Sequence, residues 1–381
     1  MYKIQTLNAI SDIIYTQLSA DKYTVSKDEP VPDAILVRSA AMHDTEFNKE
    51  LLAIGRAGAG VNNIPIDRCS KEGIVVFNTP GANANAVKEL TLCGMLMACR
   101  DVIGGNRWVN TLEGDDVAKQ AEKGKSNFAG IEIAGKTLGV VGLGAIGRAV
   151  ASAAKALGMS VLGYDPYLPK GITLDYPAVG LDEIYAKSDF ITLHVPLLDA
   201  TRAMINADAI AKMKDGVILL NIARGELADT AAVKAAVEAG KIAKYVVDFP
   251  SPDLLNTAGV LVLPHLGAST EEAENNCAKM AAEQLKDYIE NGNIRNSVNF
   301  PACGMQRMTP YRIVILHRNV ANSLAQITAV VGNEGINISN LSNQSRGEYA
   351  VTVLDVDDEV AQKDLDRIAQ VKGILRVRFL H

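Results

Sequence analysis

Six short apolar runs recur between residues 136 and 265: "KTLGVVG", "SVLGYD", "DFITLHVP", "GVILLNIAR", "KYVVDF" and "GVLVLPH". Stretches with helical spacing, such as "AIGRAVASAAKALG" and "TAAVKAAVEAGK", separate several of them. No other feature constrains the fold as strongly. Strand and helix in turn imply a parallel sheet covered by helices and joined by right-handed crossovers. Composition agrees: hydrophobic residues make up 48% and aromatics only 5%. Such chains build buried strands as continuous apolar runs.

The flanking segments carry their own patterns. At 381 residues the chain has room for two or three domains. In the first hundred residues "AILVRSA", "LLAIGRAGAG" and "GIVVFNTPG" each read as a strand and then a loop, and a long helix is expected over 84–100. Residues 101–130 are polar and fit a helical crossover with loops. Another helix begins in "STEEAENNCAKMAAEQLKDYIENG", where Ser269 and Glu272 have capping-box spacing. It would return the chain to the first hundred residues, so the first domain would be discontinuous. "PACGMQRMTP" reads as a linker. Beyond it come strand, helix, strand, strand, helix and strand, with helices around 322–333 and 359–371, a ferredoxin-like order.

The formal net charge of −6 argues against general affinity for nucleic acid. An anionic ligand would then need a local cluster of arginine or lysine. The five cysteines, Cys69, Cys93, Cys99, Cys277 and Cys303, include no C-x-x-C pair, which predicts free thiols in a reducing cytosol. "MYKIQTLNAI" lacks the basic-then-apolar layout of a secretory signal. No apolar run approaches the roughly 18 residues that cross a bilayer. A cytoplasmic chain with no membrane partner is expected.

"GVVGLGAIGRAV" contains G-x-G-x-x-G at Gly142, Gly144 and Gly147. It follows an apolar run, opens an amphipathic helix (Ile146, Val150, Ala154, Leu157), and precedes a strand ending in Asp165. In that setting Gly142 permits a tight turn, Gly144 lets the backbone approach a pyrophosphate, and Gly147 lets helix pack on sheet. The pyrophosphate would sit at the helix N-terminus, where free N–H groups and the dipole favour anions. Asp165 would accept hydrogen bonds from the adenosine ribose. No arginine adjoins it, so NAD is favoured over NADP.

Polar residues stand at or just beyond the ends of all six runs: Gly142, Asp165, His194, Arg224, Asp248 and His265. In an open parallel sheet ligands bind outside the carboxyl ends of the strands, so all six would share a rim. His265 could otherwise be a satisfied core histidine; the shared rim favours a functional role. An arginine directly after a buried strand is costly unless paired, and its planar fork suits a carboxylate. A histidine, an arginine and NAD together point to hydride transfer from a 2-hydroxy acid. The histidine would remove the hydroxyl proton, the arginine would hold the carboxylate, and a further carboxylate would hold the imidazole in its tautomer.

"VVGLGAIGRAVASAAKALGM", "SDFITLHVPL", "VILLNIARGELADTAAV" and "LVLPHLGASTEEA" resemble the D-2-hydroxyacid dehydrogenase family. "VRSA", "GRAGAGVNNI" and "VFNTPGANANAVKEL" are similar to its members that oxidise 3-phosphoglycerate to 3-phosphohydroxypyruvate at the start of serine synthesis. The resemblance implies a Rossmann-type doubly wound sheet (101–271) inserted in a flavodoxin-like substrate domain (1–100 and 272–300). A linker (301–309) and a ferredoxin-like domain (310–381) would follow. It implies Arg224 as carboxylate binder and His265 as acid/base. NAD contacts are expected from Gly142, Gly144, Ala145, Ile146, Gly147, Asp165, His194, Val195, Pro196, Thr201, Asn221, Ile222, Ala223, Asp248, Gly267 and Ala268. The substrate would meet Arg38, Ser39, Arg56, Asn83 and Lys88. No metal ion is expected.

Two positions depart from the family pattern. The family carries a glutamate in D-V-F-x-x-E-P, but this chain has "VVDFPSPDLLN", with Asp253 at the counted position. Asp253 either orients His265 or is only a loop residue. Lys88 stands where the family has a small residue; it either adds positive charge near the substrate or is a solvated helix lysine.

The last segment resembles an ACT domain, a small module that binds amino-acid effectors. Its resemblance to serine-inhibited members implies His317, Asn319 and Asn337 as effector contacts. Ala321-Asn322 replaces the usual Pro-Gly turn, and asparagine tolerates the left-handed conformation that turn needs. A domain used only for homo-oligomer formation, as dimer or tetramer, is the alternative. For the whole chain the alternatives are a glyoxylate or hydroxypyruvate reductase, and a non-catalytic NAD-sensing protein.

Overall fold

The computed structural model describes residues 1–168 and 171–381. The chain divides into two compact units, Met1–Asn83 with Glu271–His381, and Ala84–Thr270.

The first unit opens with five parallel strands: β1 (Tyr2–Leu7), β2 (Tyr23–Ser26), β3 (Ala34–Val37), β4 (Ala53–Arg56) and β5 (Val75–Phe77). They lie in the order β2-β1-β3-β4-β5, that of a flavodoxin-like sheet. Helix α1 (Ile66–Lys71) precedes β5.

The second unit starts with α2 (Ala84–Cys99), α3 (Val102–Val109) and α4 (Val117–Gly124). Then come β6 (Thr137–Val141), α5 (Ala145–Ala156), β7 (Ser160–Tyr164), α6 (Leu181–Lys187), β8 (Phe190–Leu193), α7 (Ala207–Ala211), β9 (Val217–Asn221), α8 (Thr230–Glu238), β10 (Ile242–Val247) and β11 (Val260–Val262). All six strands are parallel, in the order β11-β10-β9-β8-β6-β7. The four central strands, β6, β8, β9 and β10, are buried on both faces, while the edge strands β7 and β11 are only partly covered. Val140, Leu220 and Val246 face one core, while Val141, Leu219 and Val247 face the other. The order reverses at β6, which pairs with β7 on one side and β8 on the other. This is the switch point where ligands of such sheets bind.

One boundary differs from the expectation. The sequence assigns residues 84–100 to the first domain, but α2 packs on the six-stranded sheet. Its Val87, Met95, Ala98 and Cys99 share a core with Leu220 and Val246. The approach is close: a Cβ on Gly94 would stand 2.9 Å from Val246 Cγ1.

The chain re-enters the first unit through α9 (Glu271–Asn291), β12 (Tyr311–Arg318), α10 (Ser323–Asn333), β13 (Ile338–Arg346), β14 (Tyr349–Val356), α11 (Gln362–Gln370) and β15 (Ile374–Leu380). Helix α9 begins two residues after Ser269, whose hydroxyl donates to the His265 carbonyl rather than completing the expected capping box. The last four strands form an antiparallel sheet, β13-β14-β12-β15. Asn322 adopts φ +66°, so the turn before α10 keeps its left-handed residue without glycine.

This C-terminal sheet is less separate than a 310–381 domain behind a linker implies. Ile313 and Ile315 face α10 and α11, while Val314, Leu316, Val351 and Val353 share a core with Phe77, Leu285 and Tyr288. Arg312 and Asp355, both wholly buried, pair at 2.6 Å. Arg312 also donates to the Asn291 carbonyl at 2.9 Å and the Met305 carbonyl at 3.2 Å, binding the end of α9 and the 301–309 segment to β12. Removing one partner of such a pair costs about 3–5 kcal/mol.

All five cysteines are free. Among the described residues no helix is long and apolar enough to cross a membrane.

Candidate functional site

Gly142 follows β6 with φ +96°, and a Cβ there would meet the His194 carbonyl oxygen at 2.6 Å. A Cβ on Gly147 would lie 1.8 Å from the Gly142 oxygen, so α5 sits against the turn as only glycine allows. Gly144 differs: nothing lies within 4 Å of its Cβ position. It precedes α5 with no side-chain hydrogen bond capping the helix. Open space meets free N–H groups there, as a pyrophosphate requires. Ala145 and Ile146 form the first turn of α5.

Asp165 braces this turn. Its Oδ2 accepts from Leu143 N at 2.9 Å and its Oδ1 from Tyr167 N at 2.9 Å. Each oxygen keeps a lone pair for a ribose hydroxyl. The residues present therefore fit a dinucleotide.

His194 follows β8, and its Nε2 lies 3.0 Å from the Thr192 hydroxyl. Burial pulls its pKa down to about 4, so the ring is neutral at ordinary pH. Beyond Val195, the Thr201 hydroxyl donates to the Pro196 carbonyl at 2.6 Å and accepts from Leu198 N at 2.8 Å, shaping the loop.

Asn221, fully buried at the end of β9, fixes the next turn. Its Nδ2 donates to the Arg224 carbonyl at 2.8 Å, and its Oδ1 accepts from Ala223 N and Arg224 N, each at 3.3 Å. The Arg224 Nη1 donates to the Ala223 carbonyl at 2.6 Å, and no carboxylate pairs with it among the described residues.

Asp248, also wholly buried, does the same for the turn beyond β11. It accepts from Leu266 N at 2.8 Å and Gly267 N at 2.7 Å. Gly267 is tightly enclosed, with Asp248 Oδ2 and Ile222 Cγ2 at 3.2 and 3.4 Å from its Cβ position. Ala268 follows in the same turn. His265 enters it at φ +58°, a left-handed conformation unusual for a residue with a Cβ. Its exposed ring lies 4.8 Å from the Phe249 ring, and Phe249 Cβ is 3.2 Å from the Cβ position of Gly225. Phe249 thus links the Arg224 turn to His265.

Asp253 is not brought to His265. It lies on a 3-10 turn, Pro252–Leu254, with its side chain exposed and no hydrogen bond or ion pair on its carboxylate among the described residues. Sequence reasoning missed Phe249 and Thr192. Phe249 stands in the quoted run "KYVVDF", but no spacing rule marks it.

Three substrate candidates of the first unit, Arg38, Ser39 and Arg56, sit at the carboxyl ends of β3 and β4, and Asn83 lies beyond β5. Arg38 follows Val37, which is in register with Arg56. Arg38 pairs with Glu274 at 2.7 Å, and Ser39 N donates to Asn8 Oδ1 at 3.0 Å. The buried Asn83 amide oxygen has no hydrogen-bond partner among the described residues. Lys88 lies on α2 and donates to Asn85 at 2.5 Å.

In the C-terminal sheet, His317 Nδ1 lies 2.9 Å from the Arg318 carbonyl and its Nε2 2.9 Å from the Thr352 hydroxyl. Asn319 donates to the Gly347 carbonyl at 3.0 Å and Asn337 to Asp357 at 2.6 Å. Asn319 and His317 stand close in sequence, but Asn337 is bonded at the far end of β14.

A glycine turn braced by an aspartate at the switch point of a parallel sheet defines a dinucleotide-binding α/β protein. Residues 92–267 match the family model described as "D-isomer specific 2-hydroxyacid dehydrogenase, NAD binding domain". A hydroxypyruvate reductase of Thermotoga maritima is 38% identical over 294 residues, 74% of this chain and 92% of that protein. The chain belongs to the D-isomer specific 2-hydroxyacid dehydrogenase family and carries its NAD-binding domain. A D-3-phosphoglycerate dehydrogenase of Archaeoglobus fulgidus is 40% identical over 288 residues, 72% of this chain and 53% of that protein. The chain spans about half the length of the curated relatives of that name it matches. A crystal structure of NAD+-bound 3-phosphoglycerate dehydrogenase from Entamoeba histolytica superposes with TM-score 0.64 at 28% identity, covering 78% of this chain and 98% of that one.

Proposed function

We propose that the chain oxidises 3-phosphoglycerate to 3-phosphohydroxypyruvate with NAD. The observation that carries this reading is the pair of arginines, Arg38 and Arg56, at the ends of neighbouring strands in a chain 40% identical to a D-3-phosphoglycerate dehydrogenase. Their charges suit the substrate phosphate, with Ser39 and Asn83 as hydrogen-bonding neighbours. Lys88 adds charge once it releases Asn85.

Arg224 holds the substrate carboxylate through its planar fork. His265 takes the proton from the C2 hydroxyl and returns it in the reverse direction. The turn of Gly142 and Gly144 with Asp165 would hold NAD, which would supply the hydride acceptor for C2. Asp253 orients the imidazole after an inward movement of its turn, and Phe249 holds the ring meanwhile. The C-terminal domain is read as ACT-like, taking L-serine at His317, Asn319 and Asn337, and the chain as a cytoplasmic homo-oligomer.

A second reading, reduction of hydroxypyruvate or glyoxylate, is favoured by the near-complete coverage of the Thermotoga maritima relative. Steady-state kinetics of Arg38→Ala separate the two. The first expects KM to rise far more for 3-phosphoglycerate than for unphosphorylated glycerate. Equal rises support the second.

A further inference from the structure

A cavity of about 360 Å3 opens in the first unit beside α1 and the last strand, β15. Its walls are Phe47, Asn48, Lys49, Arg68, Glu72 and Arg376. Three of these side chains are cationic and one is anionic. Glu72 does not balance them, because Arg68 takes its carboxylate at 2.8 Å. Arg68 is further fixed by the Thr45 carbonyl at 2.7 Å and by the Phe47 ring, 4.5 Å from its guanidinium carbon.

Arg376 has little to hold its charge. Its single hydrogen bond among the described residues goes to the Glu72 main-chain carbonyl at 3.3 Å. No carboxylate lies within 4.0 Å of it among those residues. Burial disfavours its charged form, yet a guanidinium stays protonated at neutral pH. Glu50 and Glu72 act on this half-buried cation only from beyond ion-pair contact, so part of the cost of desolvating its charge is left to a ligand. The Lys49 ammonium, exposed at the mouth, also has no hydrogen bond or ion pair among the described residues.

We propose that this cavity binds a small oxyanion of the phosphate class, held by Arg376 from the C-terminal sheet and by Lys49 and Arg68 from the first sheet's surroundings. Guanidinium forks match phosphate oxygens, and the lysine adds a mobile point charge. The site is separate from the proposed substrate phosphate contacts. Lys49 and Glu72 precede β4 and β5, at the amino ends of strands whose neighbours carry Arg38 and Arg56 at their carboxyl ends. A bound anion would tie β15 to α1 and so stabilise the packing of the C-terminal sheet. Free phosphate and the phosphate group of a metabolite share this chemistry.

The test is thermal unfolding and titration calorimetry of the full chain with inorganic phosphate and, separately, glycerol 3-phosphate, at ionic strength fixed with chloride. A saturable rise in Tm is expected, with affinity about tenfold weaker in Lys49→Ala, lost in Arg376→Gln and unchanged in Arg38→Ala. Lys49→Ala removes an exposed, unbonded group, so it remains readable if Arg376→Gln fails to fold. Tighter binding of the ester assigns the site to a metabolite, and tighter binding of the ion to free phosphate; either supports it. A Tm rise reproduced by chloride, wild-type affinity in Lys49→Ala, or loss of binding in Arg38→Ala overturns it.

Discussion

Two histidines close strands in different parts of the molecule, and their surroundings differ in what an imidazole can then do. His317, only 3% exposed, has both ring nitrogens engaged, one by the Arg318 carbonyl and one by the Thr352 hydroxyl. His265 is exposed, and neither ring nitrogen is hydrogen-bonded among the described residues; a phenylalanine ring is its neighbour. A ring tied at both nitrogens pins two strands together. A ring free at both can take and return a proton. A strand-end position alone therefore does not make a histidine an acid/base, and the state of its nitrogens separates the two roles.

The largest expected effect is that of His265→Ala. Turnover should fall by roughly 10²- to 10⁴-fold, with NAD binding, followed by fluorescence titration, retained. Near-normal turnover would break the comparison.

His317→Ala should do the opposite. It removes two hydrogen bonds and leaves the buried Thr352 hydroxyl with Asn343 as its remaining partner, costing about 2 kcal/mol in denaturant unfolding, while turnover stays close to wild type. A catalytic defect at full stability would reverse the assigned roles.

His194 sharpens the contrast through pH. Its folded pKa of about 4 lies below the ordinary 6.5. In that window the unfolded chain binds a proton that the folded chain does not. The stabilising contribution is thus present above pH 6.5 and fades as pH falls toward 4. Wild type should lose more stability across this window than His194→Gln, and parallel curves would show the ring is not desolvated.

Asp253→Asn has the smallest expected effect, a several-fold loss of turnover with a shifted pH profile. An unchanged profile would leave the orientation of His265 to Phe249 alone.

Much of this was legible in the chain. Continuous runs such as "GVILLN" demand burial on both faces, and the six-stranded sheet supplies it. The same logic applied to "RIVIL" implies two covered faces for β12, but it cannot say that the second cover is the first sheet's core around Tyr288. The helix 84–99 was misassigned because its apolar residues mark it as buried without naming its sheet. At the site, glycine spacing exposed the cofactor turn, since only glycine satisfies those close approaches. Phe249 stayed hidden because ring contact between residues 16 positions apart depends on the turn that Asp248 braces, and no local pattern encodes it.

The central claim is that His265 and Arg224 serve oxidation of a phosphorylated 2-hydroxy acid by NAD. Its most direct test is NADH absorbance in the wild-type chain, supplied in turn with phosphohydroxypyruvate, hydroxypyruvate and glyoxylate. The account predicts the highest kcat/KM for phosphohydroxypyruvate. Faster turnover of hydroxypyruvate or glyoxylate, with the phosphorylated acid left unreduced, would contradict it.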